Sequence, residues 1–156
     1  MNYRAMKLLN FFKIISFSFI ILFSVQCSKY HGESEQYTVD SPGSGSQVVP
    51  ATSVSATAAM TGGYNSTNNT LSGSLSWTGL SGAPTGIYFH GPAPAGLNNI
   101  YQFVLVKVPT VASGSMSFAS VFTEAQEESL VAGWYYYEIR TAAYPNGEIR
   151  GQIILQ

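Results

Sequence analysis

Cysteine is nearly absent from this 156-residue chain: there is one, Cys27. A lone thiol cannot close an intramolecular disulfide, which excludes a disulfide-stapled scaffold. Charge is scarce too. Asp, Glu, Lys and Arg make up 10% of the residues, against roughly a quarter in an ordinary soluble domain. Seven basic residues and a formal net charge of −1 exclude the clustered Lys and Arg of a nucleic-acid-binding surface. Low charge combined with 13% aromatics argues against wholesale disorder. There is no G-x-S-x-G elbow, no phosphate-cradling glycine loop, and no cysteine near a histidine in the body of the chain. With no nucleophile–base arrangement in view, no catalytic residue, no cofactor and no metal site is expected.

What is present divides into unlike regions. Residues 1–26 hold Arg4, Lys7 and Lys13, no acid, and an apolar run from Ile14 to Val25 broken only by serines. A basic start followed by a short apolar run predicts a secretory signal peptide. A spanning helix would need about 20 apolar residues. Cys27 follows directly, and its position resembles the lipidation site of a bacterial lipoprotein. The preceding Ser24-Val25-Gln26 departs from the usual leucine, small residue, then glycine or alanine. Lipidation at Cys27 implies export and a membrane anchor. Beyond residue 26 the chain has four basic side chains (Lys29, Lys107, Arg140, Arg150) against eight acidic ones, a formal charge of −4. Nucleic acid becomes a still less suitable partner.

Residues 27–47 are rich in Ser, Gly and charge, and read as the anchor cysteine and a flexible tether. His31 and Glu33 lie there and read as solvated linker residues. From 48 to 156 the pattern is β. Val54, Ala56, Ala58 and Met60 alternate, as do Leu71, Gly73, Leu75 and Trp77, and Met116, Phe118, Ser120 and Phe122. Gly62-Gly63 and the asparagine-rich stretch 65–69 are expected to turn the chain. Residues 100–108 are apolar almost throughout, as a central strand would be. Residues 124–132 are the one helix candidate, with acids at its start. The fold class predicted is all-β: an antiparallel β-sandwich of about 7–8 strands with one short helix near 124–132.

The last two strands, near 133–141 and 147–155, give an internal test. One hairpin register opposes Glu138 to Arg150, Ile139 to Ile149 and Arg140 to Glu148, two opposite-charge pairs around an apolar one. Pro145-Asn146-Gly147 supplies the turn. Ile149, Ile153 and Leu155 then face the core. Trp134, Tyr136, Glu138 and Arg140 share the opposite face.

The stretch from Thr141 to Gln152 (TAAYPNGEIRGQ), with Tyr136–Arg140 before it, resembles the closing signature of the CHRD (chordin) domain family. Tyr88-Phe89-His90-Gly91-Pro92-Ala93 matches the family's H-I-H-G-P-A segment, and Val49-Pro50 its opening V-P-P. The resemblance implies an immunoglobulin-like sandwich distantly similar to copper/zinc superoxide dismutases. Typical members carry two histidines in the H-x-H segment and a third in the closing strand. Here those positions are Tyr88, His90 and Arg140. With His90 alone remaining, the ligand set of a metal centre is not expected.

His90 reads either as a strand-end residue bonded to the Gly91–Pro94 loop or as a ligand contact. Glu148 and Arg150 read as members of the cross-strand ladder. Tyr88, His90, Trp134, Tyr136 and Arg140 form a possible binding surface, since aromatics with polar tips beside an arginine suit protein or glycan recognition. Trp134 and Tyr136 are equally open to being covered by the 124–132 segment. The function expected is a non-catalytic binding or structural module, lipid-anchored at the cell envelope. The alternative is a metal-binding or superoxide-dismutase-like protein with a degenerate site around His90.

Overall fold

The structure is a computed structural model that describes residues 35–100, 102–105 and 108–156. The expected leader 1–26, Cys27 and the first part of the tether lie outside the described residues. Short alternating stretches form eight strands: β1 (Gln36–Ser44), β2 (Thr57–Asn65), β3 (Thr70–Thr78), β4 (Pro84–His90), β5 (Gln102–Val104), β6 (Gly114–Val121), β7 (Tyr136–Thr141) and β8 (Ile149–Gln152). Among the described residues one α-helix, α1 (Glu124–Val131), precedes β7, and a 3-10 turn at Gly45–Gln47 follows β1. All pairings are antiparallel, in the order β5-β4-β7-β8-β1-β2-β3-β6. The sheet curls enough for β4 and the far edge β6 to meet: the rings of Phe89 and Phe118 are edge-to-face at 5.3 Å.

Period-2 alternation fixes which side chains line the inside of the curl. Ile87, Phe89, Tyr137, Ile139 and Ile149 come from β4, β7 and β8, while Met60, Tyr64, Leu71, Leu75 and Trp77 come from β2 and β3. All are at most 2% exposed. Phe89–Phe103, Phe103–Phe122 and Phe122–Tyr135 continue the edge-to-face contacts at 5.3, 5.6 and 5.1 Å. Each such pair is worth roughly 0.5–1.5 kcal/mol beyond the area it buries. The helix is a small element seated by Leu130, its one buried residue. Its start is closed by the Gln126 side chain accepting from the Thr123 amide at 2.8 Å.

Three expectations are corrected. The tether does not reach 47. Val39, Ser41 and Gly43 alternate as buried positions of β1, which fills the place between β2 and β8. Composition misleads there because small residues suit close strand packing as well as a linker. Gly62 and Gly63 do not turn the chain but lie inside β2. A Cβ on Gly73 of β3 would stand 2.1 Å from the Thr61 carbonyl oxygen and 2.8 Å from Gly62 Cα, so the two strands approach too closely there for side chains. The turn itself is at 66–69, with Asn69 at φ 53°. Finally, the described residues of the apolar run 100–108 form the short strand β5, which among the described residues lies at the sheet edge and pairs with β4.

The hairpin register is as expected: Glu138 opposes Arg150 and Ile139 opposes Ile149. Ile149 and Ile153 are fully buried, and Leu155 is half-buried. Tyr137 projects inward, and its hydroxyl donates to the Ser41 carbonyl at 3.0 Å. A Cβ on Gly151 would fall 2.4 Å from the Tyr137 ring, so this glycine admits the tyrosine.

The β2–β3 contact yields a paired test. Gly73→Ala is expected to cost at least about 2 kcal/mol in chemical denaturation, since backbone must move. Gly82→Ala, with nothing within 4 Å of the new Cβ, is expected to stay within about 0.5 kcal/mol.

Candidate functional site

The outer face of β4, β7 and β8 carries the residues opposite to the core set. Residue pairing puts His90 beside Tyr136, Tyr88 beside Glu138, and Glu138 beside Arg150. The side chains stack into one column. The Arg150 guanidinium lies 3.5 Å from the Tyr136 ring centre. His90 stacks on Tyr136 at 4.9 Å, 6° from parallel. Tyr88 follows at 6.1 Å from His90, and Arg140 sits 4.4 Å from the Tyr88 ring. An arginine thus sits at each end of a row of three rings, of which His90 and Tyr136 are stacked and Tyr88 is tilted, and each cation meets a negative ring face.

Most of this column is covered. His90, Tyr136, Glu138 and Arg150 are 3%, 1%, 5% and 1% exposed, while Tyr88 and Arg140 are half-buried. The buried polar groups are met by the irregular segment before β5. Arg150 donates to the Leu97 carbonyl at 2.8 Å, to Asn98 Oδ1 at 3.2 Å and to Gln152 Oε1 at 3.1 Å. Gln152 in turn donates to the Ala93 and Gly133 carbonyls. Arg140 Nε donates to Glu138 Oε1 at 2.5 Å.

The expected charge ladder is therefore corrected in its contacts while its register holds. Glu138 pairs with Arg140 on its own strand, and Arg150 spends its guanidinium on carbonyls, an amide oxygen and a ring. Glu148 does not meet Arg140. It accepts from the Ser81 amide at 2.7 Å, the Ser81 hydroxyl at 2.6 Å and the Thr141 hydroxyl at 2.5 Å. It thereby fastens the loop before β4 to the final hairpin.

His90 is held from one side only. Its Nδ1 lies 3.1 Å from the Asn99 carbonyl oxygen, which can only accept, so Nδ1 carries the proton. The partner is Asn99 rather than the Gly91–Pro94 loop. Nε2 is buried and has no hydrogen-bond partner among the described residues. The nearest polar atom, Glu138 Oε1, is 3.7 Å away, beyond hydrogen-bond reach. Burial holds the imidazole pKa below its ordinary value, against the opposing pull of Glu138 and the Asn99 bond, with Arg140 and Arg150 lowering it further. The neutral ring therefore presents a bare acceptor at Nε2.

His90 also lines a cleft of about 480 Å³, from which Nε2 itself is shut off. The floor is His90, Tyr136, Glu138 and Arg140, and Asn98, Asn99, Asn146, Val49, Pro50 and Ile100 form the walls. Of the surface expected from sequence, Tyr88, His90, Tyr136 and Arg140 come together. Trp134 does not: it precedes β7, is 45% exposed and stands outside the cleft lining. Tyr136 is buried, but beneath His90 and Arg150 rather than α1. The walls at 98–99 and 146 were legible only as loops, and Ile100 only as the start of the expected central strand.

The donor set does not fit a metal centre. Among the described residues no three His, Cys, Asp or Glu converge. The His90–Glu138 pair has Arg140 bonded to its carboxylate and Arg150 nearby. Structural zinc needs four ligands, and catalytic zinc three.

The depressed His90 pKa has a pH consequence. The unfolded chain takes up a proton below about pH 6.5, while folded His90 resists until lower pH. Its contribution to stability is thus full above pH 6.5 and is lost as pH falls from there through the folded pKa. His90→Phe keeps a stacking ring and does not titrate. Denaturation at pH 7.5 and 5.0 is expected to show a smaller loss on acidification in the variant than in the wild type.

A family model for the CHRD domain matches residues 39–153. No curated protein and no solved structure matches the chain. The matched region begins in β1 and ends just past β8, and so includes every strand and the whole outer-face column. The chain belongs to the CHRD domain family.

Proposed function

We propose that this protein is a non-catalytic binding module, exported and held at the cell envelope by a lipid on Cys27, that engages its partner through the outer face of β4, β7 and β8. The observation that carries the binding reading is the cleft of about 480 Å³ that brings His90, Tyr136, Glu138 and Arg140 together with Asn98, Asn99 and Asn146. Its surroundings supply no nucleophile. His90 neighbours rings, a carboxylate already tied to Arg140, and asparagines, which suits recognition. The anchor reading rests on the basic start, the apolar run and the position of the lone cysteine.

Two experiments test these parts separately. Metabolic labelling with a radioactive fatty acid is expected to mark the wild type and not Cys27→Ala; an unlabelled wild type would contradict the anchor. A photo-crosslinking residue at position 100, on the cleft rim and 90% exposed, is expected to give adducts on intact cells. The same residue at position 121, 76% exposed on edge strand β6, serves as the control. Equal adducts at both sites, or none at 100, would contradict binding at this face.

A further inference from the structure

Most polar groups around the cleft are already spent. His90 Nε2 is shut off from it, the Asn98 side chain donates to the Val49 carbonyl and accepts from Arg150, and Asn99 donates to the Pro92 carbonyl. Arg140 differs. Its Nε donates to Glu138 Oε1 and its side chain is 25% exposed. Nη1 and Nη2 have no hydrogen-bond partner among the described residues and remain open to solvent. We propose that the cleft takes a singly charged carboxylate with an apolar body, the carboxylate bridging Arg140 Nη1 and Nη2. This rests on the binding reading above and names its ligand class.

The guanidinium is held in place before a ligand arrives. Glu138 holds its Nε, and its central carbon lies 4.4 Å from the centre of the Tyr88 ring. A guanidinium is planar, with its N–H donors in a fixed fork. With Nε spent on Glu138, the two remaining nitrogens present a pair of donors that one carboxylate meets with both oxygens. An arginine already ordered by a carboxylate and a ring gives up little freedom when it binds.

The charge of the site selects a monoanion. Arg140 and Arg150 outnumber Glu138 in the column by one, and Arg150 is 1% exposed, so a single cation faces the ligand. One carboxylate matches it. A phosphate dianion would bring a second negative charge beside Glu138 with nothing to meet it, and an ammonium would be repelled by the guanidinium. Val49, Pro50 and the 90% exposed Ile100 line the cleft and offer an apolar body its contacts. Asn146 is exposed on the same wall, and its amide makes no hydrogen bond among the described residues. It can meet one further polar group of the ligand, as donor or acceptor. The cleft, about 480 Å³, falls within the range of small-molecule sites.

The test uses the full chain in phosphatidylcholine nanodiscs, with empty nanodiscs as the blank. Calorimetry and saturation-transfer NMR would be run at neutral pH with hexanoate, benzoate and N-acetylleucine, whose bodies are linear, aromatic and peptide-like. Acetate, hexylamine, butyl phosphate and a methyl glucoside represent the competing chemistries. At least one of the three carboxylates is expected to bind saturably to the wild type. Its primary amide, a neutral isostere, is expected to bind at least about tenfold more weakly, because the charge-assisted pair is lost. This deletion is made on the ligand, so the readout does not depend on a variant folding. Arg140→Lys keeps the charge without the fork and is expected to lose the same margin, which general attraction to a cation would not produce. No saturable carboxylate binding, equal binding of acid and amide, or undiminished binding to Arg140→Lys would overturn the proposal. So would binding of acetate, hexylamine, butyl phosphate or the glucoside as tight as that of the best carboxylate. The binding reading fails on a different result, the crosslinks at position 100; adducts there without carboxylate binding would strike the ligand class alone.

Discussion

Strand β7 is buried on both faces, and the rest of the molecule is arranged around that constraint. Tyr137 and Ile139 point into the curl while Tyr136 and Glu138 point outward, and all four are at most 5% exposed. The inner pair joins the apolar core, where burial alone stabilises it. The outer pair cannot be treated so. A buried carboxylate and phenol must be hydrogen-bonded or paired. β4 and β8 flank β7, and their outward residues supply what Tyr136 and Glu138 need.

The outcome is a row of rings with an arginine at each end, and a loop that bends back to satisfy Arg150. Leu97 and Asn98 accept from its guanidinium, and Asn99 holds both the Tyr136 hydroxyl and His90 Nδ1 within reach. Glu148 performs a parallel task at the far end of the hairpin by gathering Ser81 and Thr141. These bonds account for the outward groups of β7 and β8 and leave His90 with one ring nitrogen unmet. The ring lies parallel to Tyr136 at 4.9 Å, with Tyr88 tilted beside it at 6.1 Å.

Much of this was legible in the sequence. Alternation in Ala56–Met60, Leu71–Trp77 and Met116–Phe122 reports the core faces directly, because a strand's period of two leaves little freedom. The register of the final hairpin followed from its charges and its Pro-Asn-Gly turn. The same charges misled about contacts. Cross-strand opposition does not compel an ion pair when a ring face or an adjacent arginine is nearer, as with Arg150 and Arg140. β1 was missed because SPGSGSQ has the composition of a linker, and only its neighbours explain the small residues: a Cβ on Gly43 would meet the Tyr137 hydroxyl, and one on Gly45 the Thr52 side chain. Trp134 was placed on the outer face by extending β7 two residues too far. The cleft walls at 98–100 and 146 come from loops whose positions depend on long-range bonds, which no local pattern encodes.

The account turns on the protonation pattern of one ring. The chain has two histidines, His31 and His90, so two-bond and three-bond proton–nitrogen NMR can resolve both. At pH 7 without ligand, His90 is predicted to be neutral, with the proton on Nδ1 and Nε2 showing the shift of a bare imidazole nitrogen. A proton on Nε2, whether in the other tautomer or in an imidazolium paired with Glu138, would contradict the account, in which the one ring proton is held on Nδ1 by the Asn99 carbonyl.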